Sequence, residues 1–175
     1  MEFLLAKADY EHVQSIYETM CRIDEEIHDR NYFVADDLEY VKQHIREDGF
    51  TMLAWDQTNL AGFLIVDTAG EKEGHLGHDL QWPVERIQTS AVMNSVCILP
   101  CYRGFGLQKT LLKQGEQTLI SMGFSSFLAT VYPSNSYSLN NFLNLGYIIG
   151  DTKLKYGGVL RHILYKTYDS KNWMK

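Results

Sequence analysis

The stretch Pro100-Cys101-Tyr102-Arg103-Gly104-Phe105-Gly106-Leu107-Gln108-Lys109 joins two contrasting patterns. The residues before it, Asn94 to Leu99, are mostly apolar and predict a strand. From Leu107 onward apolar residues recur at helical spacing, which predicts an amphipathic helix. Those positions are Leu107, Leu111, Leu112, Leu119, Ile120 and Met122. The sequence therefore predicts a glycine-containing turn between a strand and a helix.

Such a turn is suited to hold an anion. The first amides of a helix lack partners within the helix, and the helix dipole places partial positive charge at the same end. Gly104 and Gly106 allow backbone conformations closed to other residues and let a ligand approach the chain. Arg103 and Lys109 add positive charge on either side. We expect an anion site here, although a Gly-x-Gly pair can also be only a tight turn.

Two familiar nucleotide motifs do not fit this turn. Gly104-Phe105-Gly106 lacks the third glycine of the dinucleotide-binding fingerprint. No Gly-Lys-Ser/Thr follows at the spacing of a P-loop. The sequence therefore points to a different anionic ligand.

Composition and length predict one domain over residues 1–175, because 175 residues with 45% hydrophobic composition can bury a substantial core. No apolar run approaches the roughly 18 residues of a membrane span, so we expect a soluble protein without a membrane partner. Glu2 and Asp9 flank the short apolar stretch at the N-terminus, unlike the basic start of a signal peptide. These features predict a cytoplasmic location.

Charge and cysteine content exclude further classes. A formal net charge of −6 argues against a nucleic-acid partner. Cys21, Cys97 and Cys101 include no Cys-x-x-Cys pair, so we expect reduced thiols and neither a disulfide framework nor a zinc site. The acidic runs Asp24-Glu25-Glu26 and Asp36-Asp37-Leu38-Glu39 could attract a cationic amine or simply lie at helix ends. Asp36 or Asp37 is placed to cap a helix.

The pattern of the remaining chain predicts an α/β fold with a mixed sheet and the order β-α-α-β-β-β-α-β-α-β-β. The predicted strands are Phe3–Lys7, the hairpin Phe50–Trp55 with Ala61–Val66, Asn94–Leu99, Ser126–Tyr132, and Tyr147–Tyr156 with Val159–Tyr168. The last pair is joined by a two-residue Gly157-Gly158 turn. Two early helices are also predicted. The apolar face of the first contains Val13, Ile16, Tyr17, Met20, Ile23 and Ile27, and that of the second contains Leu38, Val41 and Ile45. Residues 69–86 read as a loop with one short helical turn near Pro83. A helix over residues 135–145, with Leu139, Phe142 and Leu143 inward, ends at Gly146.

Two blocks of this sequence resemble the GCN5-related N-acetyltransferase (GNAT) family. Arg103-x-x-Gly106 after an apolar strand and a proline is similar to the family's pyrophosphate loop, Arg/Gln-x-x-Gly-x-Gly/Ala, with Gln108 in place of the last small residue. Val131-Tyr132-Pro133-Ser134-Asn135, followed by Leu145-Gly146-Tyr147, is similar to the family's Asn-x-x-Ala/Ser segment that ends in Leu-Gly-Phe/Tyr. The predicted order of elements agrees with the family over essentially the whole chain.

The resemblance implies acetyl-CoA as co-substrate and no metal. In this family the pantetheine arm pairs with the strand before the loop, and a backbone N–H there can stabilise the charge that develops on the thioester oxygen. Asn135 matches the family's cofactor-contacting asparagine, and it can equally cap the next helix. The implied cofactor-binding residues are Val96, Cys97, Ile98, Arg103, Gly104, Phe105, Gly106, Leu107, Gln108, Lys109 and Asn135. Cys97 reads as a small buried strand residue rather than a nucleophile.

The sequence departs from the family at the expected proton donor. Phe142 stands where many members carry a tyrosine that protonates the departing thiolate. Tyr137 is our candidate in its place, with Tyr132 as a neighbouring option. A thiolate with a pKa near 8.5 is a fair leaving group, so the loss of the acid is tolerable.

The general base has no motif. Glu85 is the candidate, while His75 and His78 lie in the predicted loop, and each of the three is expected at the surface. Asn94 could orient a water molecule but cannot accept a proton. His75-x-x-His78 lacks the further ligands that a metal site needs.

Two functions follow from the resemblance. The first is acetyl transfer from acetyl-CoA to a primary amine of a small molecule, a peptide terminus or a lysine. The second is a non-catalytic acyl-CoA-binding or sensing domain. The sequence does not identify the acceptor, and it leaves the oligomeric state open, with a homodimer as one option.

Overall fold

The computed structural model describes residues 2–169, which contain both strands and helices. The strands are β1 (Leu4–Lys7), β2 (Gly49–Asp56), β3 (Asn59–Asp67), β4 (Ser90–Ile98), β5 (Ser126–Val131), β6 (Ile148–Lys155) and β7 (Val159–Thr167). The α-helices are α1 (Val13–Glu26), α2 (Leu38–Gln43), α3 (Leu76–Asp79), α4 (Val84–Gln88), α5 (Leu107–Ser121) and α6 (Ser136–Asn144). Short 3₁₀ helices cover Tyr10–His12 and Pro100–Tyr102.

The described residues form two compact units. Unit 1 contains the chain up to Ala69 and Met93–Gly115, and unit 2 contains Gly70–Val92 and the chain from Glu116 onward. Strand β4 and helix α5 each contribute residues to both units.

Unit 1 contains the strands β1, β2, β3 and the C-terminal part of β4, as neighbours in that order. The β2–β3 hairpin runs from Gly49 opposite Asp67 to Asp56 opposite Asn59, with a positive φ of 55° at Gln57 in its turn. The helical spacing of Ile16, Met20 and Ile23 places these side chains on one buried face of α1. They pack in a core with α2 and the strands, whose buried members are Ala8, Ile16, Met20, Ile23, Val41, Ile45, Leu53, Phe63, Ile65 and Cys97.

Unit 2 contains the strands β4, β5, β7 and β6, as neighbours in that order. Strands β4 and β5 are parallel from Ser90 opposite Ser126 to Val92 opposite Leu128. The pairs β5–β7 and β7–β6 are antiparallel. The buried core of this unit combines Leu76, Val92, Leu128 and Ile163, with Leu80, Trp82 and Tyr165 packed against it. Parallel and antiparallel pairs occur together, which confirms the predicted α/β fold with a mixed sheet.

Residues 69–86 contain more structure than predicted. The helical turn near Pro83 is confirmed as α4, for which Pro83 is the N-cap. The additional helix α3 was missed, because Gly74 and Gly77 interrupt the pattern around its four residues. The helix begins with a side-chain cap from His75, whose ring nitrogen accepts a hydrogen bond from the Gly77 N–H.

Several element boundaries also differ from the predictions. Strand β4 begins at Ser90, four residues before the predicted Asn94, because the buried run from Ser90 to Met93 continues the same strand. The last hairpin has a three-residue turn instead of a two-residue one, since Lys155 pairs with Val159. Tyr156, Gly157 and Gly158 in this turn all have positive φ, at 48°, 81° and 104°.

Three apolar residues that belong to the predicted helical patterns are exposed. Leu38 and Met122 lie at or just beyond a helix end, where the helical spacing no longer places them over the core. Leu143 is exposed on α6, beside the buried Phe142. Among residues 2–169, none of the helices combines the length and apolar character that a membrane span requires.

Candidate functional site

The C-terminal half of β4 offers backbone groups along one edge. The Leu99 N–H donates to the Ala61 carbonyl of β3 at 3.0 Å. Because backbone direction alternates along a strand, Cys97 also directs its backbone to β3, while Val96 and Ile98 direct theirs to the opposite edge. The Ile98 carbonyl on that edge accepts a hydrogen bond from Arg103 Nε at 3.3 Å. Of the three predicted strand residues, Val96 and Ile98 are therefore positioned to pair with an extended ligand.

Gly62 of β3 allows the close approach of β4. A Cβ atom at this position would lie 2.5 Å from the Cys97 carbonyl oxygen, well inside contact distance. A side chain at Gly62 would therefore push β4 away from β3 and displace the edge that Val96 and Ile98 present.

The turn after β4 is built by two glycines in the left-handed region. Gly104 has φ of 86° and Gly106 has φ of 74°, and a Cβ atom built on either would meet nothing within 4 Å among the described residues. Positive φ favours glycine, and the space over the backbone at both glycines is open. Phe105 between them is exposed. The structure thus confirms a glycine turn that opens directly onto the start of α5.

The start of α5 has no side-chain cap, because Gly106 precedes its first residue. The Gly106 carbonyl accepts hydrogen bonds from Thr110, from its N–H at 3.1 Å and from its Oγ1 at 3.3 Å. The amides of Leu107, Gln108 and Lys109 precede this first helical bond and have no acceptor four residues earlier within the helix. They form the positive end of a fifteen-residue helix.

The charge around this turn is positive. Arg103 is exposed and Lys109 is half-buried, and neither forms an ion pair with a carboxylate of residues 2–169. Open glycines, helix amides and two cations together form a site with the properties of a phosphate-binding loop.

Cys97 is confirmed as a small buried strand residue. Its side chain is 2% exposed, and burial raises the pKa of the thiol far above its ordinary value, with a smaller contribution from the negative charge of Asp36. A thiol held in this protonated state is a poor nucleophile.

Asp36 forms a polar contact with β4 that the sequence did not reveal. It lies on the loop between α1 and α2, half-buried, and its Oδ2 accepts a hydrogen bond from Ser95 Oγ at 3.0 Å. Asn94 Nδ2 in turn donates to Ser95 Oγ at 3.3 Å. A chain of polar side chains thus connects Asp36 to the strand residue directly before Val96.

The environment of Asp36 favours its protonated form. Desolvation raises the pKa of this carboxyl, although the Ser95 hydrogen bond and the nearby His44 act in the opposite direction. Asp37, rather than Asp36, caps α2, because its Oδ1 accepts a hydrogen bond from the Tyr40 N–H at 2.7 Å. The signal in the sequence was the pair of adjacent acids Asp36 and Asp37. A helix start needs only one capping side chain, so the second carboxylate is left for another role.

At the start of α6 the predicted residues differ in environment. Asn135 is the N-cap, with Oδ1 accepting from the Ser138 N–H at 3.2 Å. Tyr137 is 87% exposed in the first turn. Phe142 is 2% exposed and packs edge-on against Tyr147, with ring centroids 5.0 Å apart. Phe142 is therefore a core residue, and Tyr137 is the one whose hydroxyl solvent and ligands can reach.

Three residues of the segment 69–86, namely His75, His78 and Glu85, were predicted to lie at the surface, and one of them is buried. His75 lies inside unit 2, where Nδ1 accepts from the Gly77 N–H at 3.0 Å and Nε2 lies 3.4 Å from Ser90 Oγ. The prediction of a surface histidine was wrong, because the imidazole caps α3. Glu85 on α4 and His78 on α3 are exposed, as predicted. Within residues 2–169 no group of three or more histidine, cysteine or acidic side chains is arranged to hold a metal ion.

Solved structures show the same fold. The ribosomal-protein-S18-alanine N-acetyltransferase from Escherichia coli superposes with a TM-score of 0.71 at 13% identity, covering 99% of each chain. The Salmonella typhimurium protein yncA, solved with its cofactor acetyl-CoA, gives a TM-score of 0.72 at 15% identity, covering 97% of this chain and 96% of its own. A NatC complex bound to Gag peptide and CoA gives 0.73 at 14% identity, covering 97% and 100%.

The sequence itself matches a family model. A search of curated protein sequences found no significant match. The model of the acetyltransferase (GNAT) family, in contrast, matches residues 12–147, which is most of the chain and includes both blocks that carried the resemblance. The chain therefore belongs to the acetyltransferase (GNAT) family of acyltransferase enzymes.

Proposed function

We propose that this protein transfers an acetyl group from acetyl-CoA to a primary amine by direct attack, as one domain over residues 1–175. The observation that carries the proposal is the start of α5, where Gly104 and Gly106 hold positive φ over open space and the first helix amides have no acceptor within the helix.

The residues present fit a CoA-type ligand. The amides of the loop from Gly104 to Lys109 would hold the pyrophosphate, with Arg103 and Lys109 supplying charge. Val96 and Ile98 would pair with the pantetheine arm through the strand edge that faces away from β3, where Arg103 would release the Ile98 carbonyl. When bound, acetyl-CoA supplies the acetyl group as a thioester. A backbone N–H of this strand would stabilise negative charge on the thioester oxygen during attack.

An acceptor ammonium must lose a proton before it can attack, and Asp36 is the base we propose. The hydrogen bond from Ser95 holds the Asp36 carboxylate beside β4. Ser95 directly precedes Val96, and Val96 lies close to the proposed thioester position. A carboxyl with a raised pKa is better matched to a proton-transfer role at neutral pH. Glu85, exposed on α4, is the alternative base from the sequence. Tyr137 would protonate the departing thiolate.

Peptide amines are one supported acceptor class. The similar structures include an N-acetyltransferase of a ribosomal-protein alanine and a complex bound to a peptide. The proposed acceptors are therefore peptide N-termini, lysine side chains and small-molecule amines. The cytoplasmic location and the homodimer stay predictions from the sequence.

The transferase proposal is tested by CoA thiol release from acetyl-CoA with a panel of amines, followed by mass detection of the acetylated product. We expect release that depends on both the amine and the protein. Phe142, which stands where many family members carry a proton-donating tyrosine, has no proton to donate, and this favours a sensing domain as the second candidate. Acetyl-CoA binding without thiol release for any amine would support that second function.

The role of Asp36 has a pH signature. A base must be ionised, so kcat/KM should rise with pH through the raised pKa of Asp36 and fall as the pH drops below it. Asp36→Asn should lower kcat/KM by about 10²- to 10⁴-fold and remove this acid limb. Because burial penalises the ionised carboxylate, the folded protein is less stable above this pKa, and the variant should melt at an equal or higher temperature at neutral pH.

Asp37→Asn is the matched control. Asn caps helices about as well as Asp, so α2 should keep its cap and the rate should change little. A rate for Asp36→Asn within about threefold of the parent protein would assign the base elsewhere, with Glu85→Gln as the next variant.

A further inference from the structure

Arg161 is a buried cation in unit 2 that the proposed chemistry has not used. It lies on β7 opposite Lys153 of β6. The pairing of β7 with β5 ends at His162 opposite Val131, so Arg161 lies beside the segment that follows β5 and begins with Tyr132. Because side chains alternate along a strand, the Arg161 side chain projects from the same face of the sheet as Ile163. Thr130, which pairs with Ile163 on β5, lies on that face too.

The guanidinium of Arg161 forms no hydrogen bond and no ion pair with residues 2–169. The residue is 9% exposed, its Nε has no hydrogen-bond partner, and no carboxylate of the described residues forms an ion pair with it. Its described contact is with the Tyr156 ring, whose centroid lies 5.8 Å from Arg161 Cζ. Burial lowers the pKa of Arg161, but a guanidinium stays charged at neutral pH. A buried charge without a counter-ion is costly to the folded state.

The neighbouring charges on β6 are already balanced. Lys153 Nζ lies 2.8 Å from Asp151 and 3.6 Å from Asp79, and Lys155 Nζ lies 2.6 Å from Asp79. Two ammonium groups thus meet two carboxylates. His162 alternates to the opposite face, where its Nδ1 lies 2.7 Å from Thr152 Oγ1. Among residues 2–169, Arg161 is thus the cation beside β6 that no carboxylate neutralises.

We propose that Arg161 binds a carboxylate of the amine acceptor, so that the preferred acceptors carry both an amine and a carboxylate. The guanidinium offers a planar pair of donors that matches a carboxylate. A single negative charge neutralises the single excess positive charge, whereas a phosphate dianion would exceed it. Tyr132 and Tyr156 are the aromatic neighbours, and the Tyr156 hydroxyl lies 3.5 Å from Thr130 Oγ1.

The assignment of this carboxylate to the acceptor rests on the proposed function. Tyr132 directly precedes the segment that carries Asn135 and Tyr137, the residues proposed for cofactor contact and proton donation. An anion at Arg161 would thus lie beside the residue that leads into the segment proposed for cofactor contact and proton donation. The carboxylate could belong to a free amino acid or to an acidic peptide.

The first measurement is binding without catalysis. The Arg161 Nε–H resonance, identified by its absence in Arg161→Lys, is followed by NMR during titration with straight-chain ω-amino acids from glycine to aminohexanoate and with their carboxamides. We expect the acids, and not the amides, to shift it. No shift with any acid, or a larger shift with inorganic phosphate or with CoA alone, would overturn the proposal.

The second measurement is the rate of CoA thiol release for each acid against its amide. We expect an acid preference of about tenfold or more at one chain length, as lost charge-assisted hydrogen bonds imply. Arg161→Gln should abolish this preference, and an unchanged preference would contradict the assignment. The peptide source is distinguished by Ala-Ala-Glu amide against Ala-Ala-Gln amide. An NMR shift without thiol release from any amine would leave the carboxylate site in place and contradict the transferase function instead.

Arg86→Gln is the matched control. Arg86 also belongs to unit 2, but it lies over the Trp82 ring at 3.5 Å and donates to Thr167 Oγ1 at 2.9 Å. Its replacement should leave the acid preference unchanged. A folding control is Arg161→Met, which removes an uncompensated charge and should melt at an equal or higher temperature. A clear drop in melting temperature would assign Arg161 a structural role.

Discussion

The starts of α5 and α6 were both predicted to contact the cofactor, and they are built in opposite ways. Helix α5 follows Gly106, which has no side chain to cap the helix, so its first amides have no acceptor within the helix. Helix α6 follows Asn135, whose side chain accepts from the Ser138 N–H and satisfies one of those amides internally. The α6 start is thus stabilised by its own side-chain cap, whereas we propose that a ligand completes the α5 start.

The largest effect is expected at Gly106. Gly106→Val places a β-branched side chain over the loop and forces the residue out of its positive φ. Affinity for acetyl-CoA should fall more than about 100-fold. For the parent protein, ligand at about 100 times its Kd should stabilise by about 2.7 kcal/mol, a melting shift of about 5 to 10 °C. The variant should lose this shift.

Gly123→Val is the control for backbone strain at the other end of α5. Gly123 also has positive φ, 92°, with nothing within 4 Å of a built Cβ atom. Each valine should cost about 1 to 2 kcal/mol of folding free energy, but only Gly106→Val should lose the acetyl-CoA shift. Retained binding in Gly106→Val would remove the loop from the cofactor site.

A smaller effect is expected from the charges beside the α5 start. Arg103→Gln and Lys109→Gln should each weaken acetyl-CoA binding by about tenfold, because each removes one charge-assisted contact with a phosphate. The loss should shrink at high salt, which already screens these exposed charges. Titration calorimetry at two salt concentrations measures both quantities. Equal affinity for parent and variants at low salt would contradict a phosphate role.

At the α6 start, Tyr137→Phe should lower kcat by about three- to tenfold while the Kd of acetyl-CoA stays constant. The effect is modest because a CoA thiolate leaves readily without a proton donor. Steady-state rates with a substrate found in the amine panel provide the measurement. An unchanged kcat would transfer the role to Tyr132 or to solvent, with Tyr132→Phe as the comparison.

The smallest effect on binding is expected at Asn135. Asn135→Ala should cost about 1 kcal/mol of folding free energy, a fall in melting temperature of about 2 to 4 °C, by removing the cap. Asn135→Asp keeps the cap and should melt like the parent protein. Any shared loss of acetyl-CoA affinity in both variants, expected to be only a few-fold, measures the cofactor contact alone. No loss in either variant would leave Asn135 as a cap only.

The sequence predicted the parts of this molecule that depend on local pattern. The strand, the glycine turn and the helix from Leu107 are encoded by residues close in the chain, and so is the helical face of α1. Helix α3 was missed because it is a single turn stabilised by the buried His75 rather than by helical spacing. The exposure of Leu143 was missed because the burial of a residue near a helix end depends on which other parts of the chain cover it.

The parts of the site that depend on distant residues could not be predicted. Asp36 and Ser95 lie 59 positions apart, and only folding brings their side chains to 3.0 Å. The lack of an ion pair at Arg161 could not be predicted either, because it depends on which carboxylates pair with Lys153 and Lys155 instead. The glycine turn before α5 could therefore be predicted from the sequence, whereas Asp36 and Arg161, proposed for the acceptor side, required the structure.

Hydrogen exchange at the two helix starts shows whether acetyl-CoA binds through the α5 amides. Amide exchange is measured by mass spectrometry for peptides covering residues 103–110 and 135–140, with and without acetyl-CoA. Binding through the α5 amides predicts strong slowing in residues 104–109 and a much smaller change around Ser138, whose amide is already bonded to Asn135. Unchanged exchange at the α5 start in the presence of saturating acetyl-CoA would contradict the account.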